Sequence, residues 1–98
     1  MAMRVLQEPI NLDYASGVQF TLSGSSQQSV AFAGIGALFI STTADAYFVT
    51  GSNPTALADG SSALLPAGQS MVIKIAPGDK IAVLQAGSGG IFTATPVR

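Results

Sequence analysis

Several residue types that carry common chemistry are missing from this 98-residue sequence. It contains no histidine, no cysteine and no tryptophan. The absence of cysteine excludes disulfides, a thiol nucleophile and a Cys/His zinc site. The absence of histidine excludes general acid–base catalysis by imidazole. The sequence therefore predicts a chain that is not an enzyme, with no catalytic residues, no cofactor site and no metal site.

Charge is also scarce, because only 9% of the residues are charged, against roughly 25% in an ordinary soluble domain. The four basic residues, Arg4, Lys74, Lys80 and Arg98, are scattered, and the net charge is −1. Proteins that bind nucleic acid need a clustered basic surface for the phosphates. We therefore expect no nucleic-acid partner.

The hydrophobic runs are short. The longest covers residues 30–40, whereas a membrane-spanning helix needs about 20 apolar residues. After Arg4, only two apolar residues precede the polar run 7–9, which does not fit a secretory signal. We expect no membrane segment, and a protein that is made in the cytoplasm and not processed.

Strand signals dominate what is present. Short runs rich in Val, Ile, Phe and Thr alternate with clusters of Gly, Pro, Ser, Asn and Asp, a pattern typical of short β-strands. The predicted strands are residues 3–7, 18–22, 29–33, 37–42, 46–50, 63–65, 70–76, 80–85 and 90–95. Residues 23–28 are interpreted as a polar linker, and residues 51–61 as the longest loop.

Turn residues mark the connections in the C-terminal half. In the segment 76–79, Pro77 and Gly78 occupy the two central positions of a type II turn, since Pro fixes φ near −65° and Gly accepts positive φ. Segments 66–68 and 86–89 are predicted as further turns. The pattern predicts an all-β fold: an antiparallel β-sandwich or jelly roll of about eight short strands. Residues 1–16 are predicted to form an extended N-terminal arm or edge strand, and residues 17–98 a single sandwich domain.

Several predicted strands are apolar on both faces, whereas a sandwich strand with one solvated face alternates apolar and polar residues. Monomers rarely expose large apolar patches, so we expect a partner to cover the second face, although sheet corners or loops are an alternative for any single residue. The candidate interface residues are Leu38, Ile40, Phe48, Val72, Leu84 and Phe92. Candidate arm contacts are Val5, Leu6, Ile10, Leu12 and Tyr14.

The serine, lysine and aspartate residues do not follow the spacing of a known catalytic motif. A serine nucleophile needs a base, and neither Lys74 nor Lys80 follows a serine at Ser-x-x-Lys spacing. The carboxylates of Asp45, Asp59 and Asp79 lie in predicted turns, where Asp is favoured for bonds to nearby backbone.

A resemblance to a protein family rests on residues 30–97. An apolar strand ends in Ser41-Thr42-Thr43 and is followed by the segments 46–51, 53–56, 65–68, 73–75, 77–83 and 93–97. This order resembles the small all-β virion proteins of tailed bacteriophages, which act as capsid decoration (cement) proteins or related head and tail components. The resemblance implies a jelly roll or sandwich that trimerises and binds the outer capsid lattice.

The function expected on this basis is that of a capsid decoration protein, a homo-oligomer with a trimer favoured, located in the virion and bound to the major capsid protein or another virion protein. One alternative is a different phage structural component, such as a tail, connector or head-fibre protein. Another is a sugar- or receptor-binding β-sandwich module that uses the loop 51–61.

Overall fold

Two antiparallel sheets make up the fold in the computed structural model, which describes residues 11–32 and 36–97. A 3₁₀ turn at Tyr14–Ser16 precedes the strands β1 (Val18–Thr21), β2 (Gln27–Gln28), β3 (Ala37–Thr42), β4 (Ala46–Gly51), β5 (Ala63–Leu65), β6 (Ser70–Lys74), β7 (Lys80–Gln85) and β8 (Ile91–Pro96). The first sheet has the order β1-β8-β3-β6 and the second β2-β7-β4-β5. This arrangement confirms the predicted all-β sandwich of about eight strands.

The strand order is that of a jelly roll. Nearly every connection between the described strands passes from one sheet to the other. Strands that follow each other in the sequence therefore mostly lie in different sheets. Such crossing connections place strands that are distant in sequence side by side, as in two nested Greek keys. Among the strands in residues 11–32 and 36–97, β4 and β5 are the only consecutive ones that pair with each other.

The core lies between the two sheets and consists of apolar side chains from both. Phe92 in β8 is fully buried and contacts two other aromatic rings. The Phe20 ring in β1 lies 6.3 Å from it, centroid to centroid, in an edge-on arrangement. The Phe48 ring in β4 lies at the same distance with an interplanar angle of 45°. Because Phe48 belongs to the second sheet, Phe92 joins the two layers.

Two of the three predicted turns are closed by a backbone hydrogen bond. The N–H of Asp79 donates to the carbonyl oxygen of Ala76 over 3.0 Å, and Gly78 has a φ of +87°, as a type II turn requires. The N–H of Gln69 donates to the carbonyl oxygen of Pro66 over 3.1 Å, with Gly68 at a φ of +78°. Both turns could be predicted from the sequence, because only glycine accepts these dihedral angles without strain.

The strand predicted at residues 29–33 is wrong for its described residues 29–32, which form no strand, and the predicted linker 23–28 ends in β2. Ser29 donates its N–H to the carbonyl oxygen of Ile81, but the N–H of Ile81 donates to the Ser29 hydroxyl, 3.0 Å away. That hydroxyl in turn donates to the carbonyl oxygen of Val30. The Ser29 hydroxyl thus takes the place of a backbone carbonyl as the acceptor for Ile81. The regular hydrogen bonding between β2 and β7 therefore ends after Gln28.

The described part of the predicted arm is bound to β8. Leu12 forms an isolated antiparallel bridge with Val97, and the N–H of Asp13 donates to the carbonyl oxygen of Pro96 over 2.8 Å. The predicted strand 3–7 lies outside the described residues. Within residues 11–32 and 36–97, no helix has the length and apolar character needed to cross a bilayer.

Candidate functional site

Four of the six residues predicted at an interface lie in the core instead. Leu38, Ile40 and Phe92 have no exposed surface, and Phe48 has 8%. Their side chains point between the sheets and contact one another in a single cluster. They are therefore not available to a partner, and this part of the prediction is corrected.

In β3 the outer face is formed by the residues that alternate with the predicted interface residues Leu38 and Ile40. Burial alternates along β3, so Phe39 lies on the outer face while Leu38 and Ile40 face the core. Phe39 pairs with Val72 in β6 and with Thr95 in β8. Cross-strand partners share a face, so Val72 and Phe39 form a short apolar row on the outside of the first sheet.

A second apolar row crosses the outside of the second sheet. Tyr47 in β4 pairs with Leu64 in β5 and with Leu84 in β7. Tyr47 and Leu84 are half-buried and Leu64 is exposed. Leu84, predicted as an interface residue, therefore lies on an outer face, as does Val72. Sequence reasoning missed Leu64, Tyr47 and Phe39 because strands with two apolar faces do not reveal which face packs inward.

Both rows begin at one side of the sandwich, which we call the β5–β6 edge and define by Leu64, Met71 and Val72. β5 and β6 end their respective sheets and are joined by the short turn 66–69. Leu64 is 49% exposed, Met71 44% and Val72 48%. The only charged residue of these two strands is Lys74. Leu64 and Val72 lie on the outer faces of different sheets, so they flank this edge on its two sides. Exposed apolar residues at an open sheet edge are typical of interaction sites.

The residues predicted as arm contacts separate into three groups. Val5, Leu6 and Ile10 lie outside the described residues. Leu12 is half-buried against β8. Tyr14 is 80% exposed and lies in the 3₁₀ turn.

A groove opens beside this turn, with a volume of about 490 Å³. Its walls include Asp13, Val18, Val30 and Phe32. Val30 is exposed, whereas Phe32 is buried and belongs to the core. Asp13 is the one acidic or basic residue among the groove's lining residues, so the groove offers mainly shape and apolar surface.

The long loop after β4 is held in place by side chains of the β1–β2 connection and β2. The Gln28 side-chain amide donates to the carbonyl oxygen of Pro54 over 2.7 Å and to Oδ1 of Asn53 over 2.9 Å. The Ser26 hydroxyl accepts from the N–H of Ala56 over 2.9 Å. Because β7 lies between β2 and β4 in the sheet, this loop reaches past β7 and is ordered there.

The turn carboxylates bind nearby backbone and hydroxyl groups. Asp45 accepts from the N–H of Ala67 over 2.7 Å. One oxygen of Asp59 accepts from both the hydroxyl and the N–H of Ser61. The hydrogen bond from the Ser61 hydroxyl, followed by that from its N–H, lowers the pKa of Asp59 below its ordinary value. The Asp59 contacts agree with its predicted turn role, whereas Asp45 bonds to a turn 22 residues further along the chain.

Comparison with solved structures finds a likeness to HppE. The chain matches FeII HppE in complex with substrate (form 1) with a TM-score of 0.52 and 20% identity, over 95% of this chain and 57% of that one. It matches Fe(II)-HppE with the alternative substrate (S)-1-HPP with a TM-score of 0.52 and 18% identity, over 89% and 48%. For CoII HppE with substrate the TM-score is 0.51 and the identity 19%. No protein family and no curated protein matches the chain.

This likeness overturns the prediction that the chain is not an enzyme, because the structures with which it shares its fold are those of an enzyme with a metal and a substrate. The chain spans about half the length of the HppE chains that it matches. At this level of identity the likeness shows the fold alone, a jelly roll.

The residues present do not fit the iron of HppE. Non-haem Fe(II) enzymes commonly hold the metal through two histidines and a carboxylate, and this sequence has no histidine. Across residues 11–32 and 36–97, no group of three or more His, Cys, Asp and Glu side chains lies together. The chain shares the scaffold of HppE without these iron ligands.

Proposed function

We propose that this chain is a structural subunit of a tailed-phage virion, a capsid decoration protein that self-associates and binds the outer capsid lattice. The observation that carries the proposal is the β5–β6 edge, where three large apolar side chains are about half exposed on a jelly roll with little charge. Covering this edge with a neighbouring protein removes apolar surface from water, at roughly 25 cal/mol per Å².

The fold supports the proposal by analogy. Jelly rolls with two four-stranded sheets occur in viral capsid domains, in lectins and in cupins. The fold therefore accommodates a virion role as well as an enzymatic one, and the site decides between them. Here the exposed site is an apolar strand edge, which suits binding between proteins.

The mechanism of a decoration protein is physical. Each copy bridges neighbouring capsid subunits, and the apolar area buried opposes expansion and rupture of the shell. A homo-oligomer, a trimer in the proteins that the sequence resembles, adds avidity because its copies bind several sites at once. The partner is the major capsid protein or another virion protein. The chain is made in the host cytoplasm and then joins the virion.

The test compares virions with particles that lack the gene. Density-purified particles are analysed by quantitative mass spectrometry, and gold-labelled antibodies locate the chain by electron microscopy. We expect the number of copies per head to be the same in all preparations. Purified protein should also bind to heads that lack it. Absence from purified virions contradicts the proposal. Labelling of tails alone supports the alternative role in another phage component.

Two variants with the same added charge sharpen the rebinding test. Leu64→Lys places a charge at the exposed β5–β6 edge. Thr21→Lys places the same charge at an exposed position of β1, on the opposite edge of the sandwich. We expect the first variant to lose head binding and the second to keep it. Equal binding by both contradicts the use of the β5–β6 edge.

The ordered loop 52–62 favours a second candidate, a sugar- or receptor-binding module. Its attachment to Gln28 and Ser26 holds the loop in one conformation, which lowers the entropy lost on binding a ligand. The loop has no aromatic residue, although an aromatic ring commonly supplies the apolar contact in a binding site. Glycan-array binding that is lost in Gln28→Ala would support this candidate over the first.

A further inference from the structure

Within the part of the chain that the structure describes, the backbone of β6 has one row of hydrogen-bonding groups without a partner in its sheet. The N–H of Ile75 donates to the carbonyl oxygen of Gly36, and the N–H of Thr42 donates to that of Gln69. In antiparallel strands the two backbone groups of a residue point the same way, and this direction alternates along the strand. Residues 69, 71, 73 and 75 therefore point their groups at β3, while residues 70, 72 and 74 point theirs outward.

The side chains of this edge offer little of the usual protection against pairing. Sheet edges are commonly blocked by proline, by a bulge or by inward-pointing charges. β6 has five residues without proline, paired in unbroken register with β3. Lys74 carries its one charge and lies at its end.

The edge strand is complementary to a second copy of itself. If two β6 strands pair antiparallel about a two-fold axis at Val72, each outward-pointing residue meets another outward-pointing residue. Val72 faces Val72 of the other copy, and Ser70 faces Lys74. Each such pair can exchange two backbone hydrogen bonds. The two lysines are kept apart, because each lies opposite an uncharged serine.

We infer that β6 is a homodimer interface, in which two copies of this chain pair antiparallel about Val72 and join their first sheets into one. The pairing extends the apolar row Phe39–Val72 into the same row of the other copy. On the opposite face of the sheet it brings exposed Met71 next to half-buried Ile73. A two-fold contact of this kind is self-complementary and closes on itself, so it gives a dimer in place of the trimer implied by the resemblance.

This inference is independent of the virion role, because purified protein alone should show it. The first test measures molar mass by light scattering across a concentration series. We expect a dimer in the unmodified protein. Val72→Lys sets two charges directly opposite each other and should weaken the dimer roughly tenfold or more. Thr21→Lys, at the opposite edge of the same sheet, should leave the dimer unchanged.

The second test reads the register directly and does not depend on how Val72→Lys folds. The sequence has no cysteine, so Val72→Cys adds a single thiol. Residues in a hydrogen-bonded antiparallel pair have Cα atoms about 5.5 Å apart, within the range that a disulfide spans. We expect mild oxidation to give a covalent dimer of Val72→Cys and none of Thr21→Cys at the same concentration.

The third test uses charge at the ends of the strand. Ser70→Asp places a carboxylate opposite Lys74 of the other copy and should strengthen the dimer severalfold, with a gain that salt reduces. Ser70→Lys places like charges there and should weaken it. The opposite order of these two variants would contradict the register.

A monomer at all concentrations overturns the inference, as does a folded Val72→Lys variant that dimerises as tightly as the unmodified protein. A dimer that forms no Val72→Cys cross-link, and that disappears when residues 1–10 are removed, also overturns it. That result assigns the contact to the N-terminal segment.

Discussion

The side-chain amide of Gln28 and the carbonyl oxygen of Pro54 lie 2.7 Å apart, which joins a two-residue strand to a loop that starts two strands away. Pro54 and Ala56 are buried, although they belong to a loop that is polar in sequence. A long connection that would otherwise be mobile is thereby ordered by a few polar contacts.

Removal of this contact should loosen the loop more than the sandwich. We expect Gln28→Ala to lower the free energy of unfolding by about 1 kcal/mol and to speed amide exchange at Ala56. Hydrogen exchange followed by NMR measures both the loop and the core amides. Gln19→Ala, on exposed β1, is the control and should change neither. Unchanged exchange at Ala56 in Gln28→Ala would show that the amide does not hold the loop.

The two phenylalanines on opposite faces of the first sheet should differ in their contribution to stability. Phe92 is fully buried between the sheets, whereas Phe39 is half-buried on the outer face. We expect Phe92→Ala to lower the free energy of unfolding by about 3–5 kcal/mol, since it leaves a cavity. Phe39→Ala should cost about 1 kcal/mol. Urea unfolding measures both, and equal losses would contradict the assignment of the faces.

The turn between β6 and β7 should depend on glycine for conformational reasons alone. An added Cβ at Gly78 meets no atom within 4 Å, yet its φ is +87°. We expect Gly78→Ala to lower the unfolding free energy by about 1–2 kcal/mol, because a side chain is strained in this region. Gly87 also has open space and no positive φ, so Gly87→Ala is the matched control. Thermal unfolding measures the difference, and a Gly78→Ala variant as stable as the control would exclude the strain.

Ionisation of Asp59 should respond to its neighbour Ser61. Its pKa is lowered in the folded protein, first by the Ser61 hydroxyl and then by the Ser61 N–H. A lowered folded-state pKa stabilises the fold above the unfolded value, near 3.9, and this stabilisation is lost as the pH falls through the folded value. We expect Ser61→Ala to raise the pKa of Asp59 toward its ordinary value, measured by carboxyl NMR shifts. Ser62→Ala should not change it.

Sequence reasoning identified most strands and turns because local signals define them. The reversal at Pro77 and Gly78 needs only the dihedral preferences of two residues, and the structure contains it. The strand predicted at residues 29–33 does not form at residues 29–32, because the hydroxyl of Ser29 accepts the N–H of Ile81 in place of a backbone carbonyl. That hydrogen bond depends on a strand fifty residues away and leaves no local signal.

The sites were less predictable than the strands. The sequence pattern predicts an interface for Leu38, Ile40, Phe48 and Phe92, which lie in the core. It carries no signal for Leu64 and Met71, which lie exposed at the β5–β6 edge. The prediction of a non-enzyme relied on absent residue types, and the fold it shares with HppE corrected it. Composition describes which side chains are available, whereas a fold is defined by backbone topology.

The sequence by itself determined the class of this protein, because alternating runs of β-forming residues and turn residues favour short strands whatever the partners of each strand are. It also shows that these 98 residues include no imidazole and no thiol. Only the tertiary structure decided which face of each strand is buried and which strands lie at the edges. Alternation along a strand fixes which residues share a face, but the opposing sheet determines which face becomes the core. The crossing connections of the jelly roll place β5 and β6 at the ends of their sheets.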